Sequence, residues 1–172
     1  MGFFIWASGA TPALPAASAT GAPLEIVAEL TGYNAVPEQT DTDPEFTASG
    51  VRSNPEIIAA RSRDMADKLP YGTVVVIELS GAERKSCGFS VVNHLIGYRV
   101  ITDSMHARKE QQIDVLFHTD HLVKVGNRFV NPAVAVGKCA VTVKVVGKIP
   151  LSNIPKTQAE LSLLVSRTVA VQ

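Results

Sequence analysis

The stretch RVITDSMHARKEQQIDVLFH, residues 99–118, carries two aspartates whose spacing could serve chemistry. Asp103 and Asp114 each lie in or beside an apolar, β-branched run. An acid at the edge of a buried strand costs free energy unless it is hydrogen-bonded, paired or used. If the polar segment between them turns the chain, the two acids come to lie on adjacent strands at one end of a barrel. Such a pair allows one carboxyl to keep its proton while the other stays charged.

Each acid also has a structural interpretation. Asp103 could cap a turn, and Asp114 could pair with Arg108 or Lys109. His106 lies between the two acids, so it either lines the same cleft or is a solvated loop residue.

A second group of polar residues lies upstream, in TGYNAVPEQTDTDPEFTASG, residues 31–50. Side chains of this kind could bind sugar hydroxyls or hold a catalytic acid in place; the alternative is a solvated loop with Asx-type turns. The candidates are Thr31, Tyr33, Asn34, Glu38, Thr40, Asp41 and Asp43.

Other chemistries have little support in the sequence. His118 and His121 bracket an aspartate, but no third ligand is evident, so the sequence predicts a surface turn and no metal site. His94 is interpreted as structural. The chain contains no Gly-rich phosphate loop and no serine nucleophile elbow, so nucleotide binding and serine catalysis are not predicted.

Length and composition favour one globular domain with some tail. Of 172 residues, 46% are hydrophobic and 19% are charged, and the 16 basic residues balance the 16 acidic ones. This balance gives no indication of a nucleic-acid partner. The first 22 residues resemble a truncated secretory signal or a disordered tail, and their apolar run is too short to span a bilayer. Cys87 and Cys139 either form one disulfide or remain free thiols.

Short apolar strands separated by Gly and Pro turns predict a mainly β fold, either a small closed barrel or a two-sheet sandwich. We expect residues 34–55 to form a long loop and residues 89–102 to hold one or two strands broken near Gly97. A C-terminal helix is expected from about 156 to 167, because Thr157 and Glu160 have capping-box spacing. The predicted strands begin in PLEIVAELTGY, EIIAAR, YGTVVVIEL, IDVLFH and VTVKVVGKI.

An ordered set of motifs resembles the 3D domain, a family named for three aspartates. The set comprises LTGYNAVPEQTDTDPEFTASG, IIAARSRD, KLPYGTVVVIE and YRVITDSMHARKEQQIDVLF, which together cover residues 28–118 with a weaker continuation to about 149. The family is similar to the catalytic region of membrane-bound lytic transglycosylase A and to stationary-phase muralytic proteins.

The resemblance implies a six-stranded double-psi β-barrel with short helices. The expected organisation is a leader at 1–22, the barrel at 23–150 and a tail with a helix at 151–172. It also implies cleavage of peptidoglycan without water and without a cofactor, in which one aspartate with a raised pKa acts first as acid and then as base. The alternative is a barrel that binds cell-wall glycan without cutting it.

Transferred by motif, the resemblance places the family's catalytic acid at Asp103 and its supporting aspartate at Asp114. Thr31 and Tyr33 match the opening motif and would lie near the cleft floor. Arg61 and Ser62 stand where the family has its first aspartate, and Asp64 is the nearest acid to that position. The expected partner is peptidoglycan, and the protein is expected to be a monomer exported to the periplasm or cell envelope, with no membrane-spanning segment.

Overall fold

A closed barrel of six strands forms the body of the protein. The computed structural model describes residues 23–40 and 43–169, so the predicted leader and Asp41 lie outside the described residues. The barrel strands are β1 (Glu25–Asn34), β2 (Ile58–Arg61), β3 (Thr73–Leu79), β4 (Tyr98–Ser104), β5 (Gln112–Phe117) and β8 (Cys139–Lys148), whereas β6 (Val123–Val125) and β7 (Arg128–Val130) form a separate hairpin. The predicted mainly β barrel is confirmed, and the sandwich alternative is wrong.

Strand order around the barrel differs from chain order. The order is β1-β5-β2-β4-β3-β8, with β8 closing onto β1. The ladders β1–β5 and β2–β4 are parallel, and the other four are antiparallel. The short strand β2 therefore lies between β4 and β5, although it precedes both in the sequence.

Alternate residues of the strands divide between two apolar clusters. The first cluster takes residues from all six strands, so it fills the barrel interior. These residues include Leu30, Ala59, Ile77, Ile101, Val115 and Val141. Neighbours of opposite parity, such as Tyr33, Ala60 and Leu116, belong to the second cluster with Leu161 and Val165 of the C-terminal helix. That cluster therefore covers the outer face of the barrel wall.

Three helices complete the described part of the chain. They are α1 (Phe89–Ile96), α2 (Pro132–Ala135) and α3 (Gln158–Val169), and 3-10 turns lie at Arg63–Met65 and Leu151–Asn153. The α3 helix begins close to the predicted position, where the Thr157 hydroxyl accepts a hydrogen bond from the Glu160 amide at 3.2 Å. No helix in the described ranges has the length and apolar character needed to cross a membrane.

The prediction of strand at residues 89–96 is wrong, because this segment is α1. Phe89, Val92 and Ile96 are buried at spacings of three and four residues, which is the period of one helix face. The β-branched content of the segment favours strand, but packing of this face on the barrel core favours helix. Gly97, with a φ of 54°, ends α1 and lets β4 begin at once.

A disulfide joins Cys87 to Cys139, 52 positions apart in sequence, and resolves the alternatives that the sequence left open. It ties the loop before α1 to the first residue of β8. Replacing both cysteines with serine is expected to lower the free energy of unfolding by about 2–4 kcal/mol, because the unfolded chain gains freedom. Urea unfolding of both proteins without reductant measures this loss. An unchanged midpoint would contradict it.

Candidate active site

The two aspartates flank the same residue of β2. Ala60 is in register with Asp103 of β4 on one side and with Asp114 of β5 on the other. Thr31 of β1 is in register with Asp114. Residues directly opposite one another point to the same face of a sheet, so these four side chains form a row across four strands. Strand spacing places the Cα atoms of the two acids about 10 Å apart.

The expectation that the acids lie on adjacent strands is therefore wrong. The strand β2, buried along its whole length, inserts between β4 and β5 and pairs with both. Asp103 precedes the end of β4 by one residue, and Asp114 follows the start of β5 by two. The row consequently lies near one end of the barrel, as expected, but on the outer face of its wall with Ala60 and Tyr33.

A register shift in the β2–β4 ladder decides where Asp103 points. Ala59 is opposite Ile101, but Ala60 is opposite Asp103, so Thr102 is passed over. A bulge of one residue changes which face the following side chains occupy. Asp103 thereby shares the outer face with Asp114, whereas an unshifted ladder would place Thr102 in the row.

Asp103 accepts three hydrogen bonds. The Tyr33 hydroxyl donates to its Oδ2 at 2.9 Å, and the backbone amides of Ala48 and Ser104 each donate to its Oδ1 at 2.9 Å. An ionised carboxylate has acceptor sites for all three donors. The structural alternative, in which Asp103 holds a turn, describes the two amide contacts but leaves the Tyr33 contact unexplained.

The Ala48 amide reaches Asp103 because a tight turn projects from the long loop. The Thr47 and Val51 backbones are hydrogen-bonded at 2.8 Å, and Gly50 adopts a φ of 79°, which favours glycine. The Ser49 amide donates to the Thr102 carbonyl at 3.1 Å and fixes the turn on β4. Reasoning from side chains missed this backbone donor, and the only signal for it was the Thr-Ala-Ser-Gly sequence of the turn.

Tyr33 is buried on the same outer face as the acids. Burial raises the pKa of Tyr33 well above its ordinary value, and the negative charge and hydrogen bond of Asp103 raise it further. The charge of Asp114 acts in the same direction, while the Arg99 guanidinium opposes it. Tyr33 therefore remains a neutral phenol and a hydrogen-bond donor at neutral pH. That Tyr33 lies near the floor of a cleft stays a prediction.

Asp114 has the opposite environment to Asp103. Its Oδ1 is buried without a hydrogen-bond partner. Burial raises the pKa of Asp114 from 3.8 to about 7, and the charge of Asp103 adds to the rise. A hydrogen bond from Thr31 and the charge of Lys109 lower it. The expected ion pair with Arg108 or Lys109 is not among the ion pairs of the described residues. The row therefore combines a carboxyl that accepts three hydrogen bonds with a buried carboxyl whose pKa is raised.

Two candidates lie outside this row. Asp64 is exposed, its Oδ2 accepts the Gln111 amide at 3.0 Å, and a hydrogen bond with the Ser62 hydroxyl lowers its pKa. Its role is to fix the turn after β2 to the start of β5. His106 is exposed, and its Nδ1 accepts the Arg108 amide at 3.2 Å within the same loop. Neither side chain hydrogen-bonds with the acids.

The polar residues of the upstream loop have mainly local contacts. Asn34 is buried and donates from Nδ2 to the Phe117 carbonyl at 3.0 Å, which ties the ends of β1 and β5. The Thr40 hydroxyl donates to the Val36 carbonyl, and Asp43 accepts the Glu45 amide at 3.0 Å. Turn formation therefore accounts for these residues better than sugar binding does.

Three histidines border a cavity of about 270 Å³ between α1 and the loop after β5. His118 and His121 form the predicted exposed turn, and His94 approaches it from α1. Glu56 also borders the cavity, but its carboxylate accepts the Gln158 amide at 3.2 Å. Within residues 23–40 and 43–169, no three His, Cys, Asp or Glu side chains form a group that could hold a metal ion.

Arg99 has the largest fully buried side chain among the described residues, and sequence reasoning missed it. Its side chain is 0% exposed and lies 5.9 Å from the centre of the Phe117 ring. The guanidinium donates to five backbone carbonyls rather than to an acid. They belong to Pro55, Ile58, Leu95, Ile96 and Leu116. The guanidinium thereby joins β2, α1 and β5 behind the row of acids, and its charge lowers the pKa of Tyr33.

No protein-family model matches this chain, and no curated protein matches it.

Proposed function

We propose that this protein is a lytic transglycosylase, which cleaves the bond between N-acetylmuramic acid and N-acetylglucosamine in peptidoglycan without water. The observation that carries the proposal is the pair of aspartates in opposite environments on one face of the barrel wall. Asp103 accepts three hydrogen bonds, whereas burial raises the pKa of Asp114 to about 7. A carboxyl whose pKa is raised by burial, near a second carboxyl in a polar environment, is typical of glycoside-cleaving sites.

The reaction needs a proton for the leaving oxygen and a base for the attacking hydroxyl. In a lytic transglycosylase the C6 hydroxyl of the sugar attacks its own C1, which gives a 1,6-anhydro end. Because this nucleophile is already tethered to the reacting carbon, the site does not have to bind and activate a water. One carboxyl can give its proton to the leaving oxygen and then take the proton of the C6 hydroxyl.

Membership of the 3D family and its double-psi topology belong to the same proposal. The motifs that carry the resemblance contribute Thr31, Tyr33, Ala48, Asp103 and Asp114, and contacts or register connect these residues. The parallel β1–β5 and β2–β4 ladders within a closed six-stranded barrel are compatible with that topology. Export to the cell envelope is proposed because a disulfide joins Cys87 and Cys139, and disulfides persist in oxidising compartments.

One observation favours a second function, a barrel that binds glycan strands without cutting them. Asp64, the acid nearest the family's first aspartate, is exposed and serves a turn. The third carboxyl that would tune the pair is therefore not beside it. A binding protein would retain sacculi without releasing product.

Digestion of purified peptidoglycan sacculi by the full chain tests the proposal, with products identified by mass spectrometry. We expect the wild type to release 1,6-anhydro-muropeptides. Asp103→Asn should release them at least about 100-fold more slowly. Asp67→Asn is the matched control, because Asp67 is an exposed aspartate in the turn after β2. Binding to sacculi with no product from the wild type would favour the binding function. Equal rates for wild type and Asp103→Asn would contradict the site.

A further inference from the structure

We propose that the β6–β7 hairpin docks this protein on the surface of an anionic phospholipid bilayer. The proposal goes beyond the cleavage reaction and does not depend on it. The contact uses a surface that we call the hairpin patch, which consists of four exposed apolar residues and two exposed bases. They are Leu122, Lys124, Val125, Arg128, Phe129 and Val134.

Exposed apolar side chains are concentrated in this short part of the chain. Four of the nine large apolar residues that are exposed among the described residues lie between positions 122 and 134. Single exposed apolar residues are ordinary on a protein surface, whereas a group of them marks a contact surface. The most bulky of the four is Phe129, which is 67% exposed. The patch therefore has apolar area that nothing in the described part of the chain covers.

The hairpin is held on the protein by one face and presents the other to solvent. Val123 is buried in the cluster that fills the barrel interior, and Val130, in register with it, packs against the same cluster. On the opposite face Lys124 and Phe129 are in register with each other, and both are exposed. A Cβ on Gly126 in the turn would have no atom of the described residues within 4 Å. The tip of the hairpin thus projects into open space.

The charge of the segment favours an anionic surface. Residues 121–138 contain three Lys or Arg residues and no Asp or Glu, although the whole chain has equal numbers of acidic and basic residues. One of the three, Lys138, pairs with Glu29 at 3.2 Å. Within residues 23–40 and 43–169, Lys124 and Arg128 form no ion pair. Both charges therefore remain available to an external partner.

A bilayer suits this patch better than a folded protein does. A specific protein interface buries about 800 Å² on each partner around a closely packed centre. The hairpin patch instead comprises one short hairpin and one residue of α2. A fluid interface accepts a projecting tip, with apolar side chains below the headgroups and bases at the phosphates. Anionic lipid attracts each base near its surface, and the attraction weakens with salt.

The hairpin patch is separate from the row of acids. Asp114 lies near the start of β5, whereas the hairpin follows the end of that strand at Phe117. The row belongs to the outer face of the barrel wall, while the hairpin is anchored through the interior cluster. Membrane docking and glycan cleavage can therefore be tested independently.

The first test is co-sedimentation of the full chain with lipid vesicles. We expect binding to phosphatidylcholine vesicles that contain about one third phosphatidylglycerol, and much weaker binding to phosphatidylcholine alone. Phe129→Ser should lower the partition coefficient about tenfold, because the largest apolar contact is lost. Lys124→Glu combined with Arg128→Glu should lower it at least about tenfold.

Two matched variants control for the general effect of each change. Leu163→Ser removes an apolar side chain that is 59% exposed on α3. Arg63→Glu with Lys68→Glu makes the same change in net charge at two exposed bases in the turn after β2. Both controls should bind as the wild type does. Patch variants that bind as tightly as the wild type, or controls that lose as much as the patch variants, would overturn the proposal.

A second measurement reports which part of the chain enters the lipid, because residues 3–7 are themselves an apolar run. Asn127→Cys, at the tip of the hairpin, carries a polarity-sensitive fluorophore, and Leu163→Cys carries the same label as the control. Anionic vesicles should shift the emission to shorter wavelength at position 127 and not at position 163. A shift at neither position or at both would overturn docking through the hairpin. So would the absence of vesicle binding together with a dimer that Phe129→Ser dissociates, which would assign the patch to a second copy of the chain.

Discussion

Replacement of Asp114 by asparagine is expected to stabilise the folded protein near pH 8 and to leave its stability near pH 3, below both pKa values, almost unchanged. The pKa of Asp114 is raised by burial from 3.8 to about 7. Between these values the folded chain holds a proton that the unfolded chain has released. The free energy of unfolding therefore falls as the pH rises from about 4 to about 7. A shift of this size corresponds to at most about 4 kcal/mol, which the neutral amide recovers.

Urea unfolding of the wild type and Asp114→Asn across this pH range measures the difference. Asp67→Asn, which removes an exposed carboxylate, controls for the general loss of one negative charge. The difference between wild type and Asp114→Asn should grow with pH and level off above about pH 8. A variant that is less stable than the wild type near pH 8 would show that Asp114 is ionised and compensated in the folded state.

Replacement of Arg99 by methionine is expected to lower the free energy of unfolding by about 3–5 kcal/mol. Leu95 and Ile96 supply two of its five carbonyl acceptors, and these lie at the end of α1, where carbonyls have no partner within the helix. Burial lowers the pKa of Arg99 to about 9, so the guanidinium is still protonated at neutral pH. Methionine fills similar volume but donates no hydrogen bond, which leaves buried carbonyls unsatisfied.

Arg99→Lys is the matched control, because it keeps the charge and loses the planar fork of donors. We expect the lysine variant to recover less than half of the loss, since one ammonium group cannot reach carbonyls on β2, α1 and β5 together. Thermal and urea unfolding of the three proteins would measure the losses. If the methionine variant were as stable as the wild type, the free-energy cost of burying the Arg99 charge would equal the stabilisation that its hydrogen bonds provide.

The barrel strands were predictable because their apolar residues repeat with the period of a strand, as in VTVKVVGKI. The two acids were predictable because carboxyls are rare in such runs. The helix before Gly97 was not predictable from the sequence. Its β-branched residues favour strand locally, whereas packing of one face on the barrel core favours helix. The order of the strands around the barrel was not predictable from the sequence either. Nothing local indicates that β2 separates the strands of Asp103 and Asp114.

The finer parts of the site depend on the backbone, which side-chain patterns do not report. The bulge that passes over Thr102 decides the face of Asp103, and a single amide of Ala48 completes its contacts. Arg99 was missed for another reason. A basic residue at the start of an apolar run has the same pattern whether it is buried or exposed.

The order of strands around the barrel has a consequence for synthesis of the chain. A ribosome has made both acids once residue 114 is added, but β1 is still unpaired along the edge that β8 later covers. The same is true of β3, whose outer edge also waits for β8. Contacts between distant parts of a chain form late, because loop closure must precede them. Until Cys139–Lys148 is in place the barrel is open, with one edge of β1 and one edge of β3 unpaired. An open chain of this kind exposes two unpaired strand edges to other chains, and pairing of β8 with both of them removes that exposure.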